Sequence, residues 1–307
     1  VAGAINNRDG EVAITNSTFT GNDSGTKGGG AIYNASGNLS TLGTITITGS
    51  TFEGNTAGNG GAVWNGSNGQ VDIADSTFKG NTALAGIGQG GAITNADQMT
   101  ITGSTFEGNQ AGKIGGAIFN AANGSITFNG TNTFTNNTAA GKANDIHNSG
   151  AITVSSGTTT LGSGYSQDAG SLTVEGGATL ESLGTMEISG GSVAFKDNSL
   201  FAVNGNALTG DNAAITVNGG TLEVENKARL RIDNAKNGQT YTIVNNQTGT
   251  EQGKWSDGNI EASTDLLTPT MDENGNVTFK RDKDASDVFT GMDSNTAAML
   301  NTLIDKG

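Results

Sequence analysis

The chain predicts an all-β fold, a right-handed parallel β-helix that ends in a short helix. Three observations carry that reading. Two short blocks, Gly-Gly-Ala-Ile/Val-x-Asn and Phe-x-x-Asn, alternate along residues 1–148 with a period of 25 to 33 residues. Upstream of each Phe, apolar and polar residues alternate, which is the period of a strand with one buried side. The composition also favours turns over long helices, with 50 Gly, one Pro and only 14 % charged residues among 307.

The first block occurs as Gly29-Gly30-Ala31-Ile32-Tyr33-Asn34, and again at Gly60 to Asn65, Gly90 to Asn95 and Gly115 to Asn120. The second is centred on Phe19, Phe52, Phe78, Phe106 and Phe134, each followed three residues later by Asn22, Asn55, Asn81, Asn109 and Asn137. One unit therefore reads as three short strands: an alternating run such as Val71-x-Ile73, a Ser-Thr-Phe strand, and the Gly-Gly-Ala strand. A coil of three strands leaves its backbone groups unpaired, so it is stable only when stacked on its neighbours about 4.8 Å away. Stacking predicts an interior column of the five Phe rings. It also predicts amide ladders of the five Asn that follow them and of Asn34, Asn65, Asn95, Asn120 and Asn148, since a carboxamide both donates and accepts.

Past the first segment the motif thins. Asp145 stands where the small residue of the Gly-Gly-Ala block belongs, in Ala143-Asn144-Asp145-Ile146-His147-Asn148. Residues 149–250 predict a continuing solenoid with shorter coils, with strands over 152–154, 172–174, 186–189, 192–195, 215–218, 222–225, 230–232 and 242–244. The whole rod would hold ten or eleven coils and measure on the order of 50 Å. Residues 251–290 read as a cap or junction with a closing strand over 277–280 and a charged linker over 281–286. Within residues 291–307, a helix over 295–305 is capped by Asp293 or Ser294 and ended by Gly307, with Met299, Leu300, Leu303 and Ile304 on one face and little to pack against. The opening Gly3-Ala4-Ile5-Asn6 reads as a degraded copy of the repeat, as if the chain were cut from a longer polypeptide.

The alternating Gly-Gly-Ala-Ile/Val-x-Asn and Phe-x-x-Asn blocks resemble the tandem motifs of chlamydial polymorphic membrane proteins and, more broadly, autotransporter passenger domains. The likeness covers residues 1–148; residues 150–290 resemble passengers in general, and the last segment is similar to the lead into a translocator barrel. The resemblance implies a passenger of type V secretion, exported through the outer membrane and displayed at the bacterial cell surface as an adhesin or self-association module. Its partners would be host or bacterial cell-surface proteins or glycans, or further copies of itself. Membrane attachment would come only through a barrel outside this sequence.

The composition closes other routes. A net charge of −14, from 29 acidic and 15 dispersed basic residues, excludes a nucleic-acid backbone and anionic lipid as partners. The absence of Cys excludes disulfides, zinc knuckles and thiol chemistry. No signal peptide, membrane-spanning run, calcium nonapeptide, phosphate loop or dinucleotide fingerprint is present, and no cofactor or metal is expected.

A β-helix can also host polysaccharide lyases and hydrolases, the alternative reading. A lyase needs clustered bases, and only Arg229 and Arg231, beside Lys227, share a strand face. A hydrolase needs paired carboxylates, and the near pairs are Asp72 with Asp75 and Asp145 with His147. The sole His, His147, reads as an exposed position in a variant coil. Thr44-x-Thr46-x-Thr48 has the look of an ice-binding array but does not recur on the next coils. No enzyme activity is predicted.

The free position of the first block is left for recognition. If Ile32, Val63, Ile93 and Ile118 point inward, Tyr33, Trp64, Thr94 and Phe119 point outward in a row. Such a stripe either shields the backbone or stacks on a partner. Loops over 23–28, 35–44 and 82–89 would add to that surface.

Overall fold

A strand of three to six residues with one apolar side can satisfy its backbone only from the coils before and after it, and that requirement builds the molecule. The computed structural model describes residues 2–37, 41–208 and 212–306. In it the chain forms a parallel β-solenoid of about nine turns with a short C-terminal helix. Each coil sends one strand to each of three faces. The first face carries the Gly-Gly-Ala strands, such as Val63–Asn65 and Ile93–Asn95; the second the alternating strands, such as Gly69–Ala74 and Gln98–Thr102; the third the Thr-Phe strands, such as Thr77–Lys79 and Thr105–Glu107. Every face is a ten-stranded sheet whose order follows the chain. Nine steps of about 4.8 Å make a rod roughly 43 Å long.

Register is kept residue for residue, so like stacks on like. Phe19, Phe52, Phe78, Phe106 and Phe134 pair in sequence on the third face. Their ring centroids are 4.6–4.9 Å apart and their planes within 6° of parallel. The column ends where Leu161 pairs with Phe134. The paired glycines answer two separate demands. Gly60 has φ of +58°, and a Cβ on Gly61 would sit 2.1 Å from the carbonyl oxygen of Gly91 in the next coil.

Three strands per coil is an undercount in the N-terminal half. A fourth, five-stranded sheet joins Thr56–Ala57, Thr82–Ala83, Gln110–Ala111, Thr138–Ala139 and Lys142–Ala143. Two-residue strands carry no readable period, which is why the pattern hides them. Beyond residue 148 all three faces continue, including the third-face strands Thr158–Leu161, Thr179–Ser182 and Leu200–Asn204, which lack the Phe-x-x-Asn signal.

The C-terminal end is closed by other means. The strand read over 242–244 is two elements. Thr240–Thr242 joins an antiparallel three-stranded sheet with Leu267–Met271 and Asn276–Arg281, while Val244–Asn246 ends the first face. Pro269 lies in the edge strand of that small sheet, where a missing N–H is tolerated. Trp255 is buried, with its ring 5.4 Å from Phe195 and 5.8 Å from Phe201.

Residues 281–286 are not a free linker. Arg281 pairs with Asp284 and Asp305, and buried Ala285 starts the helical turn Ala285–Val288. The final helix, Ser294–Lys306, begins after Asp293, whose carboxylate accepts from the backbone N–H of Asn295 and Thr296 at 3.0 Å. Contrary to the sequence reading, it does have a seat: Ala297, Leu300 and Ile304 pack with Leu266 and Ala285, leaving Met299 and Leu303 exposed. Gly307, read as its stop, lies outside the described residues. So do residues 38–40 of the 35–44 loop and Val1.

Candidate functional site

The most repeated residues are occupied with one another. In the ladder that follows the Phe column, Asn55, Asn81 and Asn109 each donate through Nδ2 to Oδ1 of the next Asn at 2.9–3.0 Å, as Asn22 does to Asn55 at 2.8 Å. The backbone N–H of each donor residue reaches that same oxygen. Because an N–H can only donate, this second bond fixes which way every amide faces. The Asn7, Asn34, Asn65, Asn95, Asn120 and Asn148 ladder runs in the same direction and finishes on Gln167. A third ladder, unremarked in the sequence, links the N–H of Ser17, Ser50 and Ser76 to the next serine hydroxyl at 3.1 Å.

Asp145 terminates the first of these ladders. It is fully buried and accepts from Asn137 Nδ2 at 2.8 Å and from the Ser163 N–H at 2.7 Å, in the place of the next carboxamide. Burial pushes its carboxyl above the ordinary value despite those donors. The replacement of Ala by Asp at this position, visible in the sequence, is thus an end-stop, and the carboxyl faces Asn137 and Ser163 instead of His147.

The outward stripe differs from the expected open row. Tyr33, Trp64 and Phe119 are each half-buried and Thr94 is buried, its hydroxyl donating to the Gln89 carbonyl at 2.8 Å. Loops fold over the stripe: the Trp64 ring lies so close across Gly28 that a Cβ there would fall 1.1 Å from Trp64 Cε3. Tyr33 and Trp64 meet edge to face at 5.6 Å. The short Thr94 separates that pair from Phe119, whose ring lies 5.9 Å from His147. Leu42, directly before the strand Gly43–Thr48, and Ile87, in the loop after Thr82–Ala83, are 53 % and 65 % exposed.

His147 is not an exposed position. It follows Phe119 in register on the first face and is 9 % exposed. Its Nδ1 lies 2.8 Å from Ser166 Oγ, and its Nε2 lies 3.3 Å from Asp168 Oδ2 without well-formed hydrogen-bond geometry. Burial raises the Asp168 carboxyl, but the Ser149 hydroxyl at 2.6 Å and the charge of His147 outweigh it and hold it below the usual range. Asn144 Nδ2 donates to the same Ser166 Oγ at 3.1 Å. Sequence reasoning missed Ser166, Asp168 and Asn144. The one signal was that His147 occupies the free place in Ile-x-Asn; Tyr165-Ser166-Gln167 shows no motif.

The other chemical candidates are spent on local pairs. Arg229 makes a two-pronged pair with Glu261, and Arg231 with Asp233. Asp72 accepts from Gln70 at 3.2 Å, and Asp75 sits in a turn with φ of +50°. Among the described residues no group of three or more His, Asp or Glu is placed to hold a metal ion, and no helix is long and apolar enough to cross a membrane. Comparison of the chain with protein-family models, curated proteins and solved structures finds no match in any of the three.

Proposed function

We propose that this solenoid is the surface-exposed passenger of a type V secretion (autotransporter) protein and acts by binding, as an adhesin or self-association module, at the bacterial cell surface. The observation that carries the reading is the division of labour among side chains. The repeated Asn, Phe and Gly are consumed by stacking, whereas the free position of each coil and the loops beside it vary in chemistry. The half-buried Tyr33–Trp64 pair offers rigid aromatic contact area at low entropic cost. A cell-surface protein or glycan is the partner class that such a surface suits. The alternating repeat motifs support the autotransporter assignment.

Cells displaying this chain should adhere to host cells or clump. Replacing Tyr33, Trp64 and Phe119 together by Ala should weaken that binding at least several-fold while the solenoid stays folded. Adhesion unchanged in the folded triple variant would overturn the role of the stripe.

A further inference from the structure

The polar end of the stripe holds a constellation that adhesion does not use. Ser166 Oγ, His147 Nδ1, His147 Nε2 and Asp168 Oδ2 follow one another at 2.8 and 3.3 Å, in the order nucleophile, base, orienting carboxylate. The parallel register places them. His147 and Ser166 are paired residues of adjacent strands on the first face, and Asp168 comes two residues after Ser166, directly past the end of its strand. Asp168 is itself held by the Ser149 hydroxyl. The Phe119 ring stacks against the imidazole on the other side. His147 is the only His of the chain, and its Nε2 is a buried polar atom with no hydrogen-bond partner of its own besides the nearby carboxylate.

We propose that Ser166 is an activated nucleophile toward neutral ester carbonyls, with His147 as its general base. The tautomer that does this work carries its proton on Nε2, toward Asp168, and leaves Nδ1 free to accept from Ser166. Ser166 Oγ bonds to the carbonyl carbon as its proton passes to Nδ1. The Asn144 amide donates to that hydroxyl in the resting site and loses this acceptor lone pair as Oγ bonds to carbon, which frees its N–H for the oxyanion that forms beside it. The tetrahedral adduct collapses, the alkoxide takes the proton from Nδ1, and an alcohol leaves. Water then attacks the acyl-Ser166 ester and passes its proton to Nδ1. The proton returns to Oγ as the carboxylic acid departs. Asp168 acts through His147 and is a positioning residue. Glu187, paired with Ser166 in the next coil, turns the site against anionic substrates.

The test is covalent labelling of the folded chain with a fluorophosphonate, read by peptide mass spectrometry, beside turnover of p-nitrophenyl acetate. Ser166 should be labelled faster than the exposed Ser125 and Ser155 of the same molecule. Ser166→Ala should lose the adduct, and His147→Gln should slow labelling roughly 100-fold. The wild-type rate should rise with pH through one ionisation that the His147→Gln profile lacks. Asp168→Asn, at an exposed site that leaves the fold intact, should slow labelling several-fold, and Asp168→Glu should restore part of it. Labelling of Ser166 no faster than that of Ser125, or equal rates in wild type and a folded His147→Gln variant, would overturn the proposal. If His147→Gln fails to fold, an unchanged rate in Asp168→Asn overturns it instead.

Discussion

Replacing Asn109 by Ala tests what the amide ladders contribute. Asn109 is fully buried in mid-ladder. Its Oδ1 accepts from the backbone N–H and from the side-chain Nδ2 of Asn81, both at 3.0 Å, and its own Nδ2 donates to the Phe78 carbonyl and to Asn137 Oδ1 at 3.0 Å. The alanine strands the buried Asn81 N–H and one amide hydrogen of Asn81. The other amide hydrogen keeps its bond to the Phe52 carbonyl. A buried donor left unpaired costs about 1–3 kcal/mol, so the variant should lose roughly 2–6 kcal/mol. At the half-exposed first rung, among the described residues no group donates to the Asn22 side chain, and Asn55 Oδ1 keeps the Asn22 backbone N–H when that side chain is removed. Asn22→Ala should therefore cost only about 0.5–1.5 kcal/mol. Urea unfolding followed by far-UV circular dichroism compares the two. Equal losses, or a loss below about 1 kcal/mol for Asn109→Ala, would refute the claim that interior amides are worth more than terminal ones.

Two further outcomes follow from the same geometry. Because burial raises the folded-state value of Asp145, its contribution is fully present below the unfolded carboxylate range and declines as pH rises through the folded value. The stability difference between wild type and Asp145→Asn, followed by thermal melts from acid to neutral pH, should therefore be most favourable to wild type at the acid end and shrink upward. A difference that grows with pH would contradict the assigned direction. On the last helix, Met299→Asp and Leu303→Asp should change stability by no more than about 0.5 kcal/mol, since both side chains stand more than half exposed. Ala297→Asp, at a buried contact, should release the helix from Leu266 and Ala285, which amide hydrogen exchange over 294–306 would report.

Much of the fold is legible because the repeat writes it several times over. Five Phe at near-constant spacing and two Asn series specify stacked coils before any contact is known, since only a solenoid puts such residues in register. The fourth sheet is illegible for a physical reason: Thr-Ala pairs such as Thr82–Ala83 are too short for a period and take their strand character from the neighbouring coils. The later third-face strands escape notice because Leu161, Leu180 and Phe201 fill the interior without a shared motif. The surface is harder still. Alternation sends Thr94 outward, but exposure also depends on the loops that cross it and on the size of its neighbours Trp64 and Phe119. His147, Ser166 and Asp168 are brought together by a coil length that nothing in their own sequence announces.

Within each of the three faces a strand hydrogen-bonds only the strands of the coils directly before and after it, so the sheets act mechanically as links in series. A pull on the N-terminal end loads the outermost coil first, whereas the other end is tied back by the antiparallel sheet of Thr240–Thr242, Leu267–Met271 and Asn276–Arg281. From that end the molecule should give way one coil at a time, each step releasing one coil of 19 to 33 residues, or about 60–110 Å of extended chain. Such a rod limits the tension it transmits to what one coil can bear, and it lengthens instead of breaking.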